Sequence, residues 1–70
     1  MPYEKWKQLW RIGSTGERIG QAFVNQFLPG DSLLIRKIYY LEDYWEADTL
    51  ISQWLMDHCY YPNMPEVNKP

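Results

Sequence analysis

This chain has few of the residues from which small proteins build covalent cross-links and active sites. Its 70 residues include one cysteine and one histidine, Cys59 and His58. A single cysteine excludes an internal disulfide, and no other side chains stand at a spacing typical of zinc ligands. On a helix, neighbouring side chains diverge by about 100°, which disfavours a His–Cys catalytic pair. We therefore expect no metal, no cofactor and no catalytic residues.

The lone cysteine also bears on location. A free cysteine is usually a small buried residue, which is what we predict for Cys59, and it is typical of a reducing cytosol. Apolar runs such as Leu33–Ile35 and Trp54–Met56 are three residues long, whereas a membrane helix needs about 20. The opening residues contain no apolar segment of a signal peptide. A cytoplasmic protein without a membrane partner is the expectation.

Charge is divided unevenly along the chain. Residues 1–40 carry six basic and three acidic side chains, and residues 41–70 carry one basic and six acidic ones. The two halves either attract each other within one domain or present a charged face that steers a partner. Neither excess is large enough to indicate nucleic-acid binding by itself.

Aromatic side chains are abundant: four Trp, six Tyr and two Phe make up 17% of the chain. A domain of this length buries only about 60% of the surface that its unfolded chain exposes. Some of these rings must therefore lie at the surface, where Trp and Tyr are enriched in binding hot spots. The composition predicts a small interaction domain.

Two helices are predicted from capping signals. Ser14 and Glu17 fit a capping box that starts a helix over 15–28, with an apolar stripe at Ile19, Phe23 and Phe27. Asp43 offers the same geometry with Glu46 for a helix over 44–59, whose apolar face comprises Ala47, Leu50, Ile51, Trp54, Leu55 and His58.

Two further segments favour strands. Residues 5–12 alternate, with Trp6, Gln8, Trp10 and Ile12 on one side, although a helix through Tyr3, Trp6 and Trp10 competes. Residues 33–40 are rich in β-forming side chains and follow a turn at 31–32. The predicted fold class is α+β, a small β-α-β-α domain with a short two-stranded sheet; the alternative is an all-α three-helix domain.

The glycine-rich segment 13–20 enters the first predicted helix. It departs from the phosphate-binding P-loop, because Glu17-Arg18 follows Gly16 where Lys-Ser/Thr is needed. Gly16 and Gly20, four residues apart, instead allow a neighbouring backbone to approach closely. We expect the globular domain to span 1–61 and an extended, proline-containing tail to span 62–70.

Candidate contact residues are those that break the helical pattern. Trp45, Ser52 and Met56 lie opposite the apolar face of the second predicted helix and form a ridge, unless the N-terminal segment or the tail covers Trp45. The tail supplies a second candidate surface, formed by Tyr60, Tyr61 and Met64.

The segment Arg18-Ile19-Gly20-Gln21-Ala22-Phe23-Val24-Asn25-Gln26-Phe27, followed by Ile38-Tyr39-Tyr40-Leu41-Glu42-Asp43 and by Ala47, Leu50, Ile51, Trp54 and Leu55, resembles small bacteriophage and prophage proteins. The resemblance covers about residues 17–57. It implies a phage accessory protein in the host cytoplasm and, by analogy with proteins of this size, an inhibitor of a host enzyme or of a defence complex such as a CRISPR effector.

The sequence thus predicts a non-enzymatic protein-binding module that occludes a surface of a larger host or viral protein. The alternative is a nucleic-acid-associated module that uses Lys5, Lys7 and Arg11 together with aromatic stacking. Because a two-stranded sheet and one small core are marginal, a homodimer or a target-bound monomer is the expected working state.

Overall fold

A computed structural model describes residues 1–13, 16–27 and 32–65. These residues form four α-helices: α1 (Tyr3–Gly13), α2 (Ile19–Phe27), α3 (Leu33–Tyr40) and α4 (Tyr44–Asp57). The described ranges contain no strand longer than an isolated bridge between Pro2 and Asn63. The predicted α+β class is wrong, and the all-α alternative is the correct class, with one more helix than expected.

Helix α1 replaces the predicted strand over 5–12. Tyr3 and Trp6 are buried and Trp10 is half-buried, so the residues at i, i+3 and i+7 share one helical face. Ile12, which the alternating pattern placed beside the tryptophans, is 84% exposed. The strand prediction failed because it counted an exposed isoleucine as part of the core.

Helix α3 has the bounds of the predicted strand over 33–40 but a different conformation. It begins after Ser32, whose Oγ accepts a hydrogen bond from the Ile35 amide at 3.1 Å. Ile38 is fully buried and Ile35 is half-buried one turn earlier. Burial of this helical stripe outweighs the β propensity of the individual residues, which is a weak and context-dependent preference.

Helix α2 confirms the predicted apolar stripe, since Ile19, Phe23 and Phe27 are all buried. It begins four residues later than the predicted 15–28. The predicted cap Ser14 and the predicted last residue, Leu28, lie outside the described residues.

The predicted close approach of a backbone occurs at Gly20. A Cβ there would overlap the Ile38 carbonyl oxygen of α3. Gly16 faces open space instead, and its φ of +95° lies in the region that favours glycine. Gly20 is therefore the point at which α2 and α3 come into backbone contact.

Helix α4 starts where it was predicted. Asp43 Oδ1 accepts a hydrogen bond from the Trp45 amide at 3.0 Å, although the capping-box geometry had placed this bond at Glu46. The helix ends at Asp57, two residues before the predicted 59.

The turn after α4 is a Schellman motif. The Tyr60 amide donates to the Leu55 carbonyl at 2.8 Å, and the Cys59 amide donates to the Met56 carbonyl at 3.1 Å. Cys59 has a φ of +63° and is exposed. The prediction of a buried cysteine is wrong, because Cys59 occupies the left-handed turn position that follows the helix cap.

The hydrophobic core draws on all four helices and on the segment after them. Phe23 lies at its centre with no exposed surface, and its ring packs edge-on against Trp6 and Trp54 at centroid distances of 6.1 and 5.8 Å. The buried apolar residues are Tyr3, Trp6, Ile19, Ala22, Phe23, Phe27, Ile38, Ala47, Ile51, Leu55 and Met64.

The segment after α4 pairs with the start of the chain. The Tyr3 amide donates to the Pro62 carbonyl at 2.8 Å, and the Met64 amide donates to the Met1 carbonyl at 2.7 Å. Met64 is buried. Met64, which lies three residues past the boundary expected at 61, is therefore part of the core, and the described part of the expected tail is hydrogen-bonded to the first residues of the chain.

The cap of α4 supports a first test. We expect Asp43→Ala to lower the free energy of unfolding by about 0.5–2 kcal/mol, because the Trp45 amide loses its acceptor. Denaturant melts measure this loss, and Glu42→Ala, which removes an adjacent exposed carboxylate without a capping bond, is the control. Equal midpoints for Asp43→Ala and the parent chain would contradict the assigned cap.

Candidate interaction surface

Trp45 is the most exposed aromatic side chain among the described residues, at 73%. It is the second residue of α4, which turns Ala47, Ile51 and Leu55 into the core. The opposite face of this helix points to solvent. The structure thus places Trp45 on the outside, as the helical periodicity predicted, and the described parts of the N-terminal segment and tail leave it uncovered.

The exposed indole is supported by two further rings. Tyr44 stacks on Trp10 with a centroid distance of 6.0 Å and an interplanar angle of 16°. Trp45 contacts Tyr44 edge-on at 5.0 Å and 83°. Trp10 is anchored in turn, since its Nε1 donates to the Glu17 carbonyl at 3.0 Å. A ring held in this way loses little conformational freedom when a partner covers it.

Carboxylates surround Trp45 in sequence. Glu42, Asp43 and Glu46 are all exposed and lie within three residues of it in the chain. The Asp43 carboxylate accepts a hydrogen bond from the Trp45 amide. Within the described ranges, none of the three forms a salt bridge. Trp45, Tyr44 and these three acids are called the Trp45 surface below.

A cleft of about 260 Å³ opens beside Trp10. Four of its lining residues lie on helix α1 at helical spacing: Trp6, Leu9, Trp10 and Gly13. The other lining residues are Met1, Glu17 and Gln26. Trp6 Nε1 donates to Gln26 Oε1 at 3.1 Å, and Trp10 Nε1 is also used internally. Trp6 is buried and Trp10 is half-buried, and both indole N–H groups have partners within the chain, so neither indole nitrogen is available to an occupant. This region is called the α1 cleft.

The remaining predicted contact residues fall at the far end of α4. Met56 is 50% exposed and Ser52 is half-buried. At 100° per residue both share the face of Trp45, but 11 residues separate Met56 from Trp45, or about 16 Å along the helix axis. The structure exposes Trp45 and Met56 at the two ends of the predicted ridge, whereas Ser52 between them is half-buried near the Tyr3 hydroxyl.

The second predicted surface, Tyr60, Tyr61 and Met64, does not form one exposed patch. Tyr60 and Tyr61 are exposed, whereas Met64 is in the core. Tyr60 stacks on Trp54 at 5.8 Å and 9°, and His58 stacks on the same indole at 3.9 Å and 16°. Trp54 lies nine residues after Trp45, on the opposite side of α4. The structure therefore does not bring Tyr60 together with the Trp45 surface.

A half-buried polar cluster joins α1 to α4. Tyr3 Oη donates to Asp48 Oδ1 at 2.6 Å, and Lys7 Nζ lies 3.1 Å from the same oxygen and 2.8 Å from Glu4 Oε2. Burial, with the hydrogen bond to Asp48 and its charge, holds the pKa of the Tyr3 hydroxyl well above its ordinary value. Burial alone would lower the pKa of Lys7, but hydrogen bonds to Glu4 and Asp48 outweigh it and raise the pKa.

These shifts predict alkaline destabilisation. Tyr3 and Lys7 both keep their protons to higher pH in the folded chain, so the unfolded chain releases protons first and folding is disfavoured as pH rises above about 10. Tyr3 alone should lower the free energy of unfolding by about 1 kcal/mol at pH 11, one unit above an ordinary tyrosine pKa. Urea melts at pH 9 and pH 11 measure the change.

Tyr3→Phe separates this contribution from those of other groups. The variant should be less stable at pH 9, because Asp48 loses a hydrogen bond, and its loss of stability between pH 9 and pH 11 should be smaller than that of the parent. An unchanged pH dependence would show that Tyr3 does not carry the effect.

Within the ranges that the structure describes, no three His, Cys, Asp or Glu side chains are close enough together to hold a metal ion. No helix in the same ranges has both the length and the apolar character needed to cross a membrane. The chain matches no protein-family model, and neither a curated protein nor a solved structure matches it significantly.

Proposed function

We propose that this chain is a non-enzymatic protein-binding module whose contact surface is centred on Trp45. The observation that carries the proposal is a 73% exposed tryptophan supported by Tyr44 and Trp10 at the start of the capped helix α4. Tryptophan is the residue type whose burial most often anchors a protein interface. Met56 extends the contact stripe along the same helix.

The setting that we propose is that of a phage-encoded accessory protein acting in the host cytoplasm. The module would occlude a surface of a larger host enzyme or defence complex by inserting Trp45 into an apolar socket. Two features support occlusion as the mode of action: the domain is small, and its most exposed ring is held by neighbouring rings. Such a binder needs a fixed surface rather than reactive groups.

Protein is favoured over nucleic acid as the partner. The alternative relied on three cations of the N-terminal segment, Lys5, Lys7 and Arg11. Lys7 is bound by two carboxylates and lies over the Tyr3 ring at 4.5 Å. The segment therefore does not present three available cations, and the exposed Trp45 is flanked by acids that repel phosphates.

The test is a quantitative affinity capture from host-cell lysate with the parent chain, Trp45→Ala and Tyr40→Ala. Tyr40 is a matched control, because it is 69% exposed but lies at the end of α3. We expect Trp45→Ala to weaken capture of the specific partner by about 30-fold or more, a hot-spot effect of about 2 kcal/mol, while Tyr40→Ala retains it. Equal capture by all three proteins would contradict the proposal.

A further inference from the structure

The outer face of helix α4 carries two parallel strips of exposed side chains, one apolar at its ends and one acidic. We propose that this face binds a basic amphipathic helix of a partner protein, whose apolar side chains cover Trp45 and Met56 while its Lys and Arg side chains pair with Glu46 and Asp57. This inference rests on the proposed function, because it names the chemistry of the partner that covers Trp45. Helical geometry, charge and the position of Asp57 each support it.

The apolar strip runs along most of the helix. Trp45 is 73% exposed, Met56 is 50% exposed, and Thr49 is exposed between them. At about 100° per residue, these three side chains lie within about 40° of one another and extend over about 16 Å of the helix axis. A helix that already buries one face in the core is ordinarily polar on the other. Two large apolar side chains on the outer strip therefore indicate a further contact.

The acidic strip lies beside the apolar one on the same helix. Glu46, Gln53 and Asp57 are all exposed. Helical spacing places them within about 40° of one another and about 80° around the axis from the apolar strip. Within the described ranges neither carboxylate forms a salt bridge, and the sequence has no Lys or Arg between 41 and 68. The outer face of α4 thus combines apolar surface with negative charge.

Asp57 stands where a carboxylate does not stabilise the helix. It is the last residue of α4, and no basic residue occupies the last turn. The carbonyl groups at this end make the helix C-terminus partly negative, so a further negative charge there is unfavourable. Gln53 Nε2 donates to Asp57 Oδ1 at 2.9 Å, which orients the carboxylate without neutralising it. A cationic side chain from a partner relieves this repulsion, and this is the contact that the proposal assigns to Asp57.

A basic amphipathic helix matches both strips at once. Helices pack with a row of side chains from one in a groove of the other, and charged residues beside an apolar seam select a partner of opposite charge. A straight strip of about 16 Å corresponds to about three turns of such a helix. Nucleic acid and anionic lipid surfaces are instead repelled by Glu46 and Asp57. Charge complementarity therefore favours a protein helix that carries Lys or Arg beside its apolar row.

Calorimetric titration with a defined peptide tests this partner chemistry. The probe is a synthetic helical peptide of about 18 residues, or five turns, with Leu at i, i+3, i+4 and i+7 and Lys elsewhere. The comparison peptide has Glu in place of Lys, and the parent chain should bind it about 10-fold or more weakly than the Leu/Lys peptide. Trp45→Ala should raise the dissociation constant for the Leu/Lys peptide about 30-fold or more, and Tyr40→Ala should leave it unchanged.

The double variant Glu46→Gln/Asp57→Asn separates charge from apolar contact. It keeps both side-chain shapes and the acceptor for Gln53. It should weaken binding of the Leu/Lys peptide about 5-fold, because two exposed ion pairs are lost. Gln8→Lys/Ile12→Lys is the matched control, since it raises the net charge equally at exposed positions of α1 and should bind like the parent. Glu46→Lys/Asp57→Lys should reverse the preference, so that the Leu/Glu peptide binds more tightly.

A parent chain that binds neither peptide, or both equally, would overturn this inference. So would a Glu46→Gln/Asp57→Asn variant that binds the Leu/Lys peptide as tightly as the parent, and so would peptide binding that survives Trp45→Ala, because the peptide would then occupy another surface. None of these results touches the proposed function, which fails only if Trp45→Ala captures its target from lysate as well as the parent does.

Discussion

Gly20→Ala is expected to destabilise the domain by about 3 kcal/mol, the upper end of the range for an overpacked site. The added Cβ would overlap the Ile38 carbonyl oxygen, and it would lie 2.9 Å from the carbonyl carbon and 3.1 Å from Ile38 Cγ2. Two of these atoms belong to the backbone of α3 and cannot rotate away. The helices α2 and α3 would have to separate, which would uncover the fully buried Ile38.

The sign of this effect distinguishes packing from helix propensity. In an exposed helix interior, Ala is favoured over Gly by about 1 kcal/mol. Gly13→Ala is the matched control, since a Cβ at the end of α1 meets open space, and it should not destabilise the chain. Urea melts of both variants measure the difference. A Gly20→Ala variant as stable as the parent would mean that α2 and α3 do not touch at this point.

Phe23→Ala is expected to cost about 3–5 kcal/mol of unfolding free energy, the usual range for a fully buried aromatic residue. Its ring has no exposed surface and contacts the rings of Trp6, Phe27 and Trp54. A domain of this size has only about 3–5 kcal/mol in total, so the variant should be largely unfolded at room temperature.

Circular dichroism across a denaturant series reports the loss directly. Val24→Ala is the control, because Val24 is adjacent on α2 but only half-buried, and the variant should remain folded. A cooperative Phe23→Ala melt with a midpoint near that of the parent would contradict the central position of Phe23 in the core.

The sequence was most informative where local capping and periodicity agreed with the tertiary structure. Helix α4 begins at the predicted residue because Asp43 caps it and because Ala47 and Ile51 recur at helical spacing on one buried face. Helix α2 carries the predicted stripe for the same reason. Its start was predicted too early, and the predicted cap, Ser14, lies outside the described residues.

The two strand predictions failed for different physical reasons. In α1 the alternating pattern depended on Ile12, an exposed residue whose hydrophobicity carries no information about the core. In α3 the β-forming residues are held in a helix because Ile38 packs against Gly20. This contact joins segments 18 residues apart in the chain, and a propensity argument does not include it.

The solvent exposure of the candidate contact residues was predicted in part. The helical wheel placed Trp45 and Met56 on the solvent side, whereas it could not show that Met64 returns to the core through its bond to Met1. The α1 cleft was missed, although Trp6, Leu9, Trp10 and Gly13 already stand at i, i+3, i+4 and i+7. In a strand over 5–12 these residues would lie on two opposite faces, so the strand prediction did not group them as one stripe.

We propose that Trp45 contacts a binding partner and contributes little to the stability of the fold. The most direct test of this proposal is the unfolding free energy and the partner affinity of the same Trp45→Ala protein, measured beside the parent. We expect the unfolding free energy to change by no more than about 0.5 kcal/mol, as is usual for surface substitutions, and the affinity to fall by about 2 kcal/mol or more. A loss of about 3–5 kcal/mol in stability, as for a covered core residue, or an unchanged affinity in a folded variant, would contradict it.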